Sequence, residues 1–150
     1  MKALTLTGTK DITVPWKEFI HALAWTESEN NPNAIGAKDE RGAWQLTSVA
    51  WLDVNQWRVR KDLPQYDFSS ATDPVIAEEY ASQFLSLLVT RLKRHIGKDP
   101  SVQQLWCAWN MGLTAFKNLN WDINAVPDST KRGIARLEKW LLEHRGAQES

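Results

Sequence analysis

Between Asp73-Pro74 and Gly97, apolar residues recur at Ile76, Tyr80, Phe84, Leu87, Leu88 and Leu92. Most of these steps are of three or four residues, which gathers the side chains on one face of a helix; a strand, with its period of two, would scatter them. Asp73 suits an N-cap, Pro74 the first helical turn and Gly97 the stop, so the segment predicts the longest helix and the central scaffold. Shorter stripes surround it. One runs from Trp16 to Thr26, with Pro15 expected in its first turn. Another starts at Thr47 or Ser48 and continues to about Trp57. A third opens at Pro100-Ser101 and carries Val102, Leu105, Trp106 and Trp109 inward. Gly112 and Thr114 restart the chain into a short segment with Phe116 and Leu119. Asp128 or Ser129 caps a last helix with Ile134, Leu137, Trp140 and Leu141 inward, ending near Gly146. Residues 29–41 and 61–72, the latter with Pro64, are expected as loops. No stretch alternates long enough to predict a core strand. The expectation is a mainly α, single-domain fold of about six or seven helices over residues 15–146. An irregular or weakly extended lead-in (1–14) precedes it and a short tail (147–150) follows.

With 18 basic and 18 acidic residues, the net charge is zero and marks out no nucleic-acid partner. The basic clusters at Arg58, Arg60 and Lys61, and at Arg91, Lys93 and Arg94, read as solvated helix ends. Cys107 is the one cysteine, so no intrachain disulfide can form; its apolar neighbours predict a buried, inert thiol. Three scattered histidines form no recognisable metal site or Cys–His pair, and no cofactor is expected. No apolar run approaches the roughly 20 residues of a membrane helix. The threonine-rich start has no apolar centre, so it is no signal peptide. The chain is expected either to act without such export or to have lost a leader.

Glu27 is the candidate for acid chemistry. Counting back from it, Leu23 and Ala24, Phe19 and Ile20, and Trp16 lie on the same helical face, so its carboxylate points where a core residue belongs. Partial burial disfavours the charged form of a carboxylic acid, which would let Glu27 hold a proton near neutral pH and donate it.

The surrounding spacing resembles the soluble lytic transglycosylase family. Glu27-Ser28 is followed by Asn31-Pro32 and, fifteen and eighteen residues after Glu27, by the ends of Gly42-Ala43-Trp44-Gln45, where the family has Gly-Leu-Met-Gln. Asp73-Pro74 with the long helix, Ala108-Trp109-Asn110-Met111-Gly112 and Val126-Pro127-Asp128-Ser129-Thr130 resemble later family segments in the right order, over about residues 15–142. The resemblance implies a lysozyme-like helical fold. It also implies cleavage of the β-1,4 bond between N-acetylmuramic acid and N-acetylglucosamine, with the glutamate as the essential carboxylate and a 1,6-anhydromuramic product. The expected partner is a peptidoglycan glycan strand, met in the bacterial envelope by a monomer encoded by a phage or a bacterium.

The chain also departs from the family. Trp109 stands where the family has tyrosine, and its indole donates a hydrogen bond but cannot accept one. Gly36 stands for a frequent serine, and Trp44 for a methionine of the sugar groove. Asp39 and Glu40, followed by Arg41, occupy a loop where the related goose-type lysozymes place an acidic residue beside an arginine. Either is a possible second carboxylate that would activate water and give inverting hydrolysis; the plainer account is a solvated turn paired with Arg41 or Lys38. A chitin-degrading enzyme and an inactive glycan-binding module are the remaining alternatives.

Among nine tryptophans, Trp16, Trp106 and Trp140 are expected in the core, while Trp44 and Trp109 are expected to line the groove. Trp57 and Trp121 are left open. Gln45 and Asn110 are amides suited to N-acetyl and hydroxyl groups, although Asn110 could equally brace its helix. Ser28 is grouped with these residues, more to tie down the backbone after Glu27 than to touch sugar.

Overall fold

The computed structural model describes residues 3–144. Its elements are strands β1 (Ala3–Leu6) and β2 (Ile12–Pro15), and helices α1 (Trp16–Ser28), α2 (Ser48–Arg60), α3 (Pro74–Ile96), α4 (Val102–Met111), α5 (Leu113–Asn118) and α6 (Asp128–His144), with a 3-10 turn at Phe68–Thr72. The expected mainly helical, lysozyme-like architecture is present. Among the described residues, no helix is long and apolar enough to cross a membrane. Among the described residues, 3–22 with 85–144 form one compact unit and 23–84 another.

In the first unit, β1 and β2 pair antiparallel, with Leu4 opposite Val14 and Leu6 opposite Ile12. Leu4, Leu6 and Val14 are buried and the threonines between them exposed. Of the irregular or weakly extended lead-in that was expected, the extended form is present, as a paired hairpin. Its alternation is real, but each strand has only four residues, too few to register as a period. Pro15 pairs with Ala3 at the end of β2 and so precedes the first turn of α1. The hairpin is fastened to α4 by Gln103, whose Nε2 donates to the Thr7 carbonyl at 2.7 Å while its Oε1 accepts from the Thr7 N–H at 3.2 Å.

Ser101 and Gln104 close a reciprocal capping box at the start of α4. The helix is buried on nearly all sides, as a core helix is. Trp106, 2% exposed, donates its indole N–H to the Thr130 carbonyl at 3.0 Å. Its ring lies so close to α6 that a Cβ on Gly133 would sit 2.1 Å from Cζ2. Cys107 is buried, and that desolvation pushes its thiol pKa up to about 12.

In the second unit, Thr47 caps α2, which runs three residues past its expected end at Trp57. The continuation depends on Arg58, a charge in a core position that a hydrophobic pattern cannot register. It is 2% exposed and ion-pairs with Glu79 at 2.9 Å. It also donates to the Pro64 carbonyl at 2.6 Å and lies over the Tyr80 ring. Tyr80 stacks on Trp51 with centroids 3.7 Å apart, and its hydroxyl accepts from the Tyr66 N–H at 2.9 Å and donates to Asn55. The segment expected as plain loop therefore holds a 3-10 turn, capped by Asp67. Asp73 caps α3 through the N–H groups of Val75 and Ile76, and Gly97 (φ 76°) follows its end.

Trp44, Trp51 and Trp106 are the buried tryptophans among the described residues. Trp16 and Trp140, expected in the core, are only partly buried. Trp140 spends one face stacking on His144, 3.9 Å away. The expected helix end near Gly146 and the tail lie outside the described residues.

Candidate active site

Glu27 is the penultimate residue of α1 and is partly buried. Immediately after it the chain reverses through two left-handed residues, Glu29 (φ 55°) and Asn30 (φ 62°), which brings the Asn30 N–H back to the Ala24 carbonyl at 3.0 Å. Asparagine accepts that conformation more readily than most residues. Ser28 completes the turn. Its hydroxyl donates to the Ala43 carbonyl at 2.7 Å and accepts from the Asn31 N–H at 3.0 Å.

The partner of Ser28 belongs to a tight turn. Arg41 and Leu46 exchange backbone hydrogen bonds at 2.9 and 3.0 Å, closing Gly42-Ala43-Trp44-Gln45 between them. Gly42 adopts φ 80°, and a Cβ there would lie 2.0 Å from the Ala71 carbonyl oxygen, so both conformation and space demand glycine. Gln45 is also left-handed (φ 51°). Its Nε2 donates to the Gly42 carbonyl at 2.9 Å and the Ala34 carbonyl at 3.2 Å, bracing the turn against the preceding loop. Arg41 adds a guanidinium 4.3 Å from the Phe68 ring centroid. Ala43 and Trp44 at the tip are 2% and 4% exposed, an unusual burial for a turn. Trp44, expected to line the groove, presents its ring to protein in this structure.

Asp39 (φ 63°) pairs with Arg41 at 3.0 Å, with side chains 61% and 29% exposed. Glu40 turns inward: its Oε1 accepts from the Lys38 N–H at 2.7 Å and its backbone carbonyl from the Gly36 N–H at 2.7 Å. Glu27, Ser28, Asp39, Glu40, Trp44 and Gln45 thus share the second unit.

Trp109 and Asn110 lie near the end of α4 in the first unit, Trp109 partly buried and Asn110 exposed. Asn110 Oδ1 accepts from the Thr130 hydroxyl at 2.8 Å, tying α4 to the first turn of α6. Sequence reasoning missed the convergence of Glu40 and Gln45 on Gly36. A side chain at position 36 would start 2.7 Å from Gln45 Oε1 and 2.8 Å from Glu40 Oε2. The lone signal was the departure to glycine itself.

No curated protein matches the chain significantly. A family model, the transglycosylase SLT domain, matches residues 9–131, a span that holds every residue of the candidate site. That family cleaves glycosidic bonds of peptidoglycan, which makes the bacterial cell wall the place of action. With most of its length matched, the chain belongs to the transglycosylase SLT domain family.

Proposed function

We propose that the protein is a lytic transglycosylase that cleaves the β-1,4 bond between N-acetylmuramic acid and N-acetylglucosamine, with Glu27 as general acid and then base. The observation that carries this is the seating of Glu27. It is partly buried at the carbonyl end of α1, within a turn tied by Ser28 to the Gly42–Gln45 segment. Loss of water and the negative end of the helix dipole both favour a neutral acid there.

As an acid, Glu27 donates its proton to the bridging oxygen while the bond from C1 breaks and positive charge spreads over the muramic ring. The resulting carboxylate takes the proton of the C6 hydroxyl, whose oxygen bonds to C1 and closes the 1,6-anhydro ring. Glu27 ends as the neutral acid it began as, and no water is consumed. Gln45 supports the turn beside it. Trp109 and Asn110 are proposed sugar contacts, the former by its indole face and the latter by the amide nitrogen left after its oxygen is bonded to Thr130. Burial argues against a groove role for Trp44, which we assign to holding the turn.

The rival is hydrolysis by a second carboxylate. Asp39 is committed to Arg41 in an exposed turn, which disfavours it, whereas Glu40 is partly buried and remains the better candidate. Mass spectrometry of products from purified peptidoglycan separates the two. Fragments ending in 1,6-anhydromuramic acid are expected; reducing-end muramic acid would mean that water attacked.

A further inference from the structure

We propose that the first unit carries a second binding site, a cleft along the outer edge of β1 that takes a stem peptide of peptidoglycan, one of the short peptides borne by its glycan strands, as an added strand. The cleft has a volume of about 410 Å³, within the range of small-ligand pockets. Ala3, Leu4 and Thr5 line one side of it, and Lys98, Trp121 and Asp122 line others. Successive side chains of a strand point to opposite faces, so a cleft that meets three residues in a row runs along the backbone edge. It is the edge turned away from β2, the strand with which β1 forms its two-stranded sheet and which lines none of the cleft.

This edge already holds one amide. Gln103 sets its carboxamide against Thr7 as a neighbouring strand would set a peptide group, Nε2 donating to the Thr7 carbonyl and Oε1 accepting from the Thr7 N–H. Both backbone groups of Thr7 therefore face away from β2, and in an antiparallel pair every second residue shares that direction. Counting back, Thr5 and Ala3 turn their N–H and carbonyl groups to the same side. Pro15, opposite Ala3, agrees with this register, since a residue without an N–H fits where the pair exchanges no hydrogen bonds. An extended peptide laid along Thr5 and Ala3 continues the ladder that Gln103 begins. A peptide repeats its donors and acceptors at the spacing of that edge, and a glycan strand does not.

The charged groups suit a peptide with free ends or charged side chains: Lys98 offers an ammonium to a carboxylate, and Asp122 a carboxylate to an amine. Trp121 forms a fixed wall. Its backbone is left-handed (φ 59°), an outlier for so bulky a residue, and its ring is held by Phe116 and His95 with centroids 5.5 and 5.1 Å away. The cleft adjoins the start of α4 at Ser101 and Gln104, whereas Trp109 and Asn110 lie near the other end of that ten-residue helix, about 15 Å in length. The inference rests on peptidoglycan as substrate and not on the assignment of Glu27.

The test is titration of the isotope-labelled protein with sugar-free stem peptides cut from purified peptidoglycan, followed by NMR and by calorimetry. Shifts are expected at the amides of Ala3, Thr5 and Lys98 and at the Trp121 indole. Thr5→Pro removes an N–H that the β1–β2 ladder does not use, and should weaken binding about tenfold with a thermal midpoint near that of wild type. Lys98→Ala changes an exposed side chain and should weaken binding about threefold, the difference shrinking at high salt. Glu27→Gln should bind the peptides like wild type whether or not it cleaves, which separates this site from the mechanism. No binding at about 5 mM peptide would overturn the proposal. So would affinity unchanged in Lys98→Ala or in a folded Thr5→Pro. Equal shifts on peptide-free glycan strands would overturn it too, and would mark the cleft as a sugar site.

Discussion

Trp106 and Gln45 are both bracing side chains, yet they work by opposite means. Trp106 fills space: it is 2% exposed, its ring rests on a glycine of α6, and one indole hydrogen bond finishes the contact. Gln45 fills little. It is partly buried in a left-handed backbone conformation and holds the loop after Glu27 through two carbonyls. Left-handed residues crowd this second region, with Glu29, Asn30, Asp39, Gly42 and Gln45 all at positive φ. Dense apolar contact stabilises α4 and α6, while the loop trades conformational ease for the placement of polar groups, a pattern met where geometry serves chemistry. Substitutions in the first region should therefore cost stability, and those in the second should cost activity.

The sharpest challenge to that division is Gly42, which sits in the loop but is packed like a core residue. Gly42→Ala would place a methyl 2.0 Å from the Ala71 carbonyl oxygen at φ 80°. It should cost about 3 kcal/mol or more in denaturant unfolding, combining backbone strain with overpacking. Gly133→Ala is expected to cost about 1–3 kcal/mol from collision with Trp106, even after the gain of about 1 kcal/mol in helix propensity. Its kcat/KM below the melting transition should stay within about threefold of wild type. Equal losses of activity in Gly133→Ala and in loop variants would break the comparison. Ser28→Ala, which removes the tie to Ala43, should cost about 1 kcal/mol in stability but lower kcat/KM roughly tenfold, because Glu27 loses its fixed position.

The smallest effect at neutral pH belongs to Cys107. Burial pushes its thiol pKa up to about 12, from an ordinary value of 9.0. The folded state therefore holds the proton more tightly than the unfolded state, and the associated stability is full below pH 9 and is lost as pH rises toward 12. The thermal midpoint of Cys107→Ala should be lower at neutral pH but should fall less steeply across that range. Parallel slopes would show that the buried thiol does not contribute.

The same contrast explains what was legible in the sequence. The helices could be read because Leu88, Leu92, Leu105 and Leu137 repeat the period of the face they bury. Glu27 stood out as a candidate because it interrupts such a face. The long α3 emerged with its cap and stop in place, but its buried face also includes Ala77, Ala81 and Leu85, and alanines carry little weight in a hydrophobic pattern. The hairpin escaped because its strands are too short to show a period. Arg58 escaped because burial of a charge depends on partners as distant in sequence as Glu79. Trp44 was expected in the groove because it lies in a loop, where the related family has a groove methionine, but the Ser28 tie and the reciprocal bonds of Arg41 and Leu46 turn its segment inward. Contacts made by loop backbone leave no periodic trace.

The central claim is that Glu27 performs the chemistry and that the loop serves to place it. Its most direct test is the release of soluble fragments from purified peptidoglycan by wild type and Glu27→Gln, with thermal midpoints measured in parallel. The account predicts at least a roughly hundredfold loss of release with a midpoint unchanged or raised. Release within a fewfold of wild type by a fully folded Glu27→Gln would contradict it.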